Sequence, residues 1–180
     1  MITYIALLRG INVSGKNKIV MADLKQMLLQ LGFSNITTYI QSGNIVFSSK
    51  EVDAIVLSEK IHKQILNTFK LDVPVLVLAS STLQTIFNNH PYAEEDEKQI
   101  YFVLLKSTPN AALVAELNKG TYATEKFVVT NNCVYLLCLN GFGKAKCNNN
   151  FFERKLSVQA TTRNYKTMAK LVEISKNTEA

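Results

Sequence analysis

Two kinds of apolar pattern alternate along this chain, and their order constrains the fold more than any other feature. Ile2–Leu8 is a continuous β-prone run. Met21, Leu24, Met27, Leu28 and Leu31 then recur at spacings that place them on one helical face, and Gly32 suits the stop. Asn35–Ile40 and Asn44–Ser48 read as two strands joined by Gln-Ser-Gly, a hairpin signal. Ala54, Leu57, Ile61, Ile65 and Phe69 give a second helix, which Asp72 and Pro74 end, and Val73–Ala79 reads as a buried strand. The order is strand, helix, strand, strand, helix, strand.

The same order then returns. Ser80 and Ser81 cap a short helix over Thr82–Asn88, and Asn89–Lys98 reads as an exposed linker. Gln99–Leu105 is a strand, and Thr108-Pro109 opens a helix that stops at Gly120. Glu125–Thr130 and Cys133–Leu139 flank the tight turn Asn131-Asn132. A helix over Asn149–Leu156, a strand over Val158–Thr161 and a last helix from Asn164 to about Lys176 complete the set. The halves share little residue identity, so the repeat is one of topology. The expected class is α+β: two ferredoxin-like β-α-β-β-α-β halves packed together, plus a C-terminal helix. Residues 1–79 form the first half, 80–98 a helix and acidic linker, and 99–180 the second half.

Topology places the loops. In a split β-α-β unit the first and second strands run parallel with the third between them. The loop Arg9–Lys18 and the turn Gln41–Asn44 are therefore expected at one end of the first sheet. By the same reasoning Asn140–Lys146 and Thr161–Asn164 share one end of the second, and the two ends are expected to face a common groove between the halves.

Charge and chemistry bound the function. The net charge is +6, split as four basic and one acidic residue over 1–49, five and eight over 50–98, and eleven and five over 99–180. Basic charge thus falls in the same thirds as the Gly- and Asn-rich loops, which favours an anionic partner. Arg9, Lys16 and Lys18 supply cations, while Gly10, Gly15 and Gly43 let backbone N–H groups approach a ligand. Asn12, Ser42 and Asn44 offer neutral hydrogen bonds; Lys144, Lys146, Arg163 and Asn164 close the far side. This set suits a phosphate or carboxylate. Each member also has a plainer reading: the glycines as turns, Asn44 as the pin of its turn, Asn164 as a helix cap, Lys144 and Lys146 as a solvated face. GKNK lacks the GxxxxGK[ST] frame of a Walker loop. No HExxH, GxSxG or paired His/Cys cluster occurs, so neither metal hydrolysis nor triad chemistry is expected, and no metal or cofactor. His90, before Pro91, reads as a linker residue.

Three cysteines without CxxC spacing read as buried thiols in a reducing cytoplasm. No apolar run approaches a membrane span, and MITYIALLRG reads as a strand rather than a signal peptide.

The motif LLRGINVSGKNK, followed by MADLKQMLLQLGF and TYIQSGNIVF, resembles the opening of the domain-of-unknown-function 1697 family of small, mostly bacterial proteins. Gly141-Phe-Gly-Lys-Ala-Lys and FFERKLSVQATTRNYKTMAKL are similar to that family's C-terminal pattern. Members often carry Trp where this chain has Tyr165. The resemblance spans nearly the whole chain and implies a fold without an agreed activity. Function is therefore read from the residues: a module binding nucleic acid or a phosphorylated small molecule. The alternatives are an enzyme acting on a small anionic metabolite, or a structural or dimerisation protein in which the motif residues serve the fold.

Overall fold

The computed structural model describes residues 1–13 and 15–179; Ser14, inside the first long loop, lies outside the described residues. Strands β1 (Ile2–Leu8), β2 (Ser34–Tyr39), β3 (Asn44–Ser49) and β4 (Val75–Ala79) form one antiparallel sheet in the order β2-β3-β1-β4. Helices α1 (Met21–Gln30) and α2 (Ala54–Phe69) are the two crossovers. Strands β5 (Ile100–Leu105), β6 (Glu125–Val129), β7 (Cys133–Cys138) and β8 (Ala160–Asn164) repeat the arrangement as β6-β7-β5-β8. Their crossovers are α4 (Ala111–Leu117) and α5 (Asn149–Leu156). Helix α3 (Ser80–Asn88) follows the first sheet, and α6 (Tyr165–Glu179) is the C-terminal helix. Both halves are thus ferredoxin-like. By internal contacts, Met1–Thr85 with Lys170 onward forms one compact unit, and Ile86–Ala169 the other.

Each sheet buries one face under its own helices. In the first unit Tyr4, Ala6, Leu8, Ile45, Phe47, Val75 and Val77 meet Leu24, Met27 and Leu28 of α1 and Leu57, Ile61 and Ile65 of α2. In the second, Val103, Leu105, Val134, Leu136 and Cys138 meet Leu117, Phe152 and Leu156. Period-two side chains on the strands and period-three-to-four side chains on the helices make this possible.

Local chemistry sets the element ends. Gly32, at φ +84°, closes α1: its N–H donates to Leu29 O at 2.9 Å, and that of Phe33 to Leu28 O at 3.3 Å. Asp53 caps α2 by accepting from the N–H of Ile55 at 2.7 Å. Two expected boundaries are corrected. Helix α4 starts at Ala111, not at Pro109, because Asn110 is the cap and accepts from Ala112 N–H at 2.8 Å. The last strand is Ala160–Asn164 rather than Val158–Thr161, because all five of its residues pair with β5, from Leu105↔Ala160 to Tyr101↔Asn164. Arg163 and Asn164 therefore lie on that strand, with the helix opening at Tyr165.

Candidate functional site

At the loop end of the first sheet, one asparagine organises the backbone. Asn12 Nδ2 donates to Ile19 O and to Gln41 O, both at 2.9 Å, and Asn12 Oδ1 accepts from Ile19 N–H at 2.9 Å. Its own N–H donates to Asn17 O, and Asn17 Nδ2 returns to Gly10 O at 3.0 Å. These bonds close the Gly10–Ile19 loop on itself and tie it to the β2–β3 turn. The two glycine-bearing stretches are neighbours, as the crossover topology predicts.

The turn is pinned in the same way. Asn44, fully buried, donates from Nδ2 to Tyr39 O at 3.1 Å and to Ser42 Oγ at 2.9 Å. Gly43 O accepts from Leu8 N–H at 2.8 Å, and a Cβ on Gly43 would sit 2.5 Å from Leu8 Cβ. This glycine is required by close approach. Gly10 and Gly15 have positive φ but open space around the missing Cβ, so only their backbone conformation demands glycine. Asn12, Asn17 and Ile40 are left-handed as well; Ile40, β-branched at φ +49° and 53% exposed, is the costly case.

The cations stand on this scaffold. Lys16 and Lys18 are exposed and Arg9 is half-buried. The backbone N–H groups of Arg9, Asn12 and Lys16 go to Pro74 O, Asn17 O and Val13 O. Three of the loop's backbone donors are thus spent on the fold.

In the second unit the predicted residues divide. Lys144 is exposed in a short 3₁₀ turn, Phe142–Lys144, whose Phe142 ring stacks on Tyr101 at 4.8 Å. Lys146 is exposed, and its N–H donates to Glu125 Oε1 at 3.1 Å. Asn164 accepts from Thr167 N–H at 2.9 Å, so it caps α6. Arg163 is half-buried; its Nη1 donates to Thr161 Oγ1 at 3.1 Å and to Thr162 O at 2.9 Å. Burial pushes the guanidinium down to about 10, which leaves it a cation at neutral pH.

Arg163 stands opposite Phe102, and Phe102 opposite Tyr135, so the three form a row across the face of the second sheet turned away from α4 and α5. That row carries an aromatic cluster which sequence reasoning missed. Phe102 meets Tyr135 edge-on at 5.9 Å. Phe87 and His90 cover it, with the His90 ring edge-on to Phe102 at 5.8 Å and to Tyr165 at 5.7 Å. Tyr135 Oη donates to Ile86 O at 3.1 Å, and burial pushes its phenol up to about 12. His90 is half-buried rather than a free linker residue. Its Nδ1 accepts from Tyr92 N–H at 3.3 Å, and burial holds its pKa below the usual histidine value against an opposing pull from Glu97. The available signal was the period-two placing of Phe102 and Tyr135; their register opposite one another was not legible.

The three cysteines are free and buried. Burial raises Cys138 to about 11 and Cys147 to about 12, each with help from Glu125, and raises Cys133 further. Among the described residues no group of His, Cys, Asp or Glu could hold a metal ion. No helix among them is long and apolar enough to cross a membrane. An open depression of about 300 Å³ lies beside Phe33, Lys50 and Lys60, and none of the predicted residues lines it.

A solved structure described as the conserved bacterial protein SP0830 from Streptococcus pneumoniae is similar to this chain at a TM-score of 0.74 and 25% identity, covering 96% of this chain and 98% of that one. A comparison with curated proteins found no significant match. The family pattern described as protein of unknown function (DUF1697) matches residues 1–135, three-quarters of the chain and all of the Asn12–Gln41 loop scaffold. The chain therefore belongs to the DUF1697 family.

Proposed function

We propose that this protein binds an anionic, phosphate-bearing ligand, a nucleotide or nucleic acid, through cations carried on its glycine- and asparagine-rich loops. The observation that carries this reading is the Asn12 scaffold. A loop braced by three side-chain hydrogen bonds holds Lys16 and Lys18 in water, and Arg9, half-buried, opens the same loop. Bracing costs left-handed backbone at Asn12 and Asn17, a cost of the kind that collects at functional loops. Lys144 and Lys146 extend the basic set in the second unit, where the segment 99–180 carries eleven basic against five acidic residues. Phosphate contact, rather than base stacking, is the favoured mode. The aromatic pair that a β-α-β-β-α-β sheet could offer to bases, Phe102 and Tyr135, is buried beneath Phe87 and His90. Asn44 serves the β2–β3 turn and Asn164 the start of α6, so neither is assigned a ligand contact.

The test is fluorescence anisotropy with short labelled RNA and DNA, beside thermal shifts with inorganic phosphate and nucleotides, each at low and moderate salt. The wild type is compared with the double variant Lys16→Ala/Lys18→Ala. A ligand at a hundredfold excess over its Kd stabilises the native state by about 2.7 kcal/mol. Polymer binding should weaken with salt, and the double variant should lower the salt slope by about 1 to 2 with an unchanged melting temperature. Absence of any shift or binding at low salt sinks the proposal.

A further inference from the structure

The outward face of α2 bears an apolar stripe that the fold does not use. Leu57, Ile61 and Ile65, all fully buried, supply the helix's core contacts. On the opposite side Val52, just before the helix, is 74% exposed, Ile55 62%, Val56 46% and Leu66 42%. Single exposed aliphatics are ordinary, but these follow one another along a helix of 16 residues, about 24 Å long. Between Val56 and Leu66 the same stripe carries Glu59 and Lys63, both exposed. The pattern along the stripe is apolar, acidic, basic, apolar.

That pattern identifies its own partner. Read in reverse, it is apolar, basic, acidic, apolar, so an antiparallel second copy matches it at the four positions Val56, Glu59, Lys63 and Leu66. With a twofold axis at the level of Ile61, Val56 meets Leu66, Glu59 meets Lys63, and the symmetry makes each contact twice. At the ends, Lys70 of one copy falls opposite Val52 of the other, between Glu51 and Asp53 at the helix start. Helix dipoles oppose in this arrangement, with acids at the N-terminal end facing a lysine at the C-terminal end. A lipid surface fits less well, because Glu59 sits in the middle of the stripe and Glu51 and Asp53 at its edge.

We propose that the exposed face of α2 is a self-association surface through which two copies of this chain pair antiparallel, with Glu59 of each opposite Lys63 of the other. One helix pair lies at the low end of interface sizes, so the dimer is weak and reversible. The test is sedimentation equilibrium of the full chain from micromolar to millimolar concentration. It compares wild type, Glu59→Lys, Lys63→Glu and the double exchange Glu59→Lys/Lys63→Glu, with circular dichroism and melting curves to confirm folding. These residues are exposed, so the variants fold. The wild type should show a concentration-dependent monomer–dimer equilibrium. Either single reversal, which sets like charges opposite each other twice, should weaken it about tenfold. The double exchange, which restores opposite charges, should recover the wild-type constant. A wild type that stays monomeric overturns the proposal, as does a dimer indifferent to the single reversals or one that the double exchange fails to rescue. A monomer that instead binds anionic vesicles through this face also overturns it.

Discussion

Glycines that look alike in the sequence do different work at the level of single residues. Gly43 and Gly10 both have positive φ, yet only Gly43 has neighbouring side chains, those of Leu8 and Ile11, pressed against the place of its missing Cβ. Gly43→Ala must push its methyl against Leu8 Cβ as well as hold a left-handed alanine. It should cost about 3 kcal/mol in denaturant unfolding. Gly10→Ala meets nothing within 4 Å and should cost only about 1 to 2 kcal/mol, the left-handed penalty alone. Equal losses at the two sites would contradict this account. His90 gives the second residue-scale prediction. Burial among Phe87, Phe102 and Tyr165 lowers its pKa in the native state, so the unfolded chain takes up the proton first. Its contribution is therefore fully present above the unfolded value of about 6.5 and is lost as pH falls from there through the lowered native value. His90→Gln should flatten that part of the stability–pH curve, measured by thermal melts across mildly acidic buffers.

Among the elements, the corrected boundaries show which local signals decide. Thr108-Pro109 and Asn110 are both plausible openings for α4, and the helix takes the side chain that can reach a free N–H two residues on. Asn110→Ala should destabilise the protein by about 1 kcal/mol, while Thr108→Ala should change little. Chemical denaturation of the two variants distinguishes them. Strand β8 shows the opposite lesson. Its composition, ATTRN, carries little apolar signal, and it is a strand because β5 offers an edge along its whole length. That displacement carries Arg163 from the expected helix opening onto the sheet.

For the molecule as a whole, charge and thiols are placed by different forces. The exposed lysines stay in water, while all three cysteines are buried and their pKa values raised by that burial. The native protein should therefore react with a thiol reagent negligibly at neutral pH and show three equivalents once unfolded in guanidinium; fast native labelling would contradict the burial. Self-association through α2 would leave these thiols untouched, so the two measurements are independent.

What the sequence by itself determined was the order and kind of the elements and the meeting of the Arg9–Lys18 loop with the Gln41–Asn44 turn. Apolar periodicity is a local property, and crossover handedness turns element order into loop placement. The tertiary structure alone decided which asparagines brace and which cap, that His90 is enclosed by rings, and that Arg163, Phe102 and Tyr135 share a row. Those outcomes depend on strand register and on contacts between segments far apart in the chain. A shift of one residue would turn every side chain of a strand to the other face, and no local pattern records that choice.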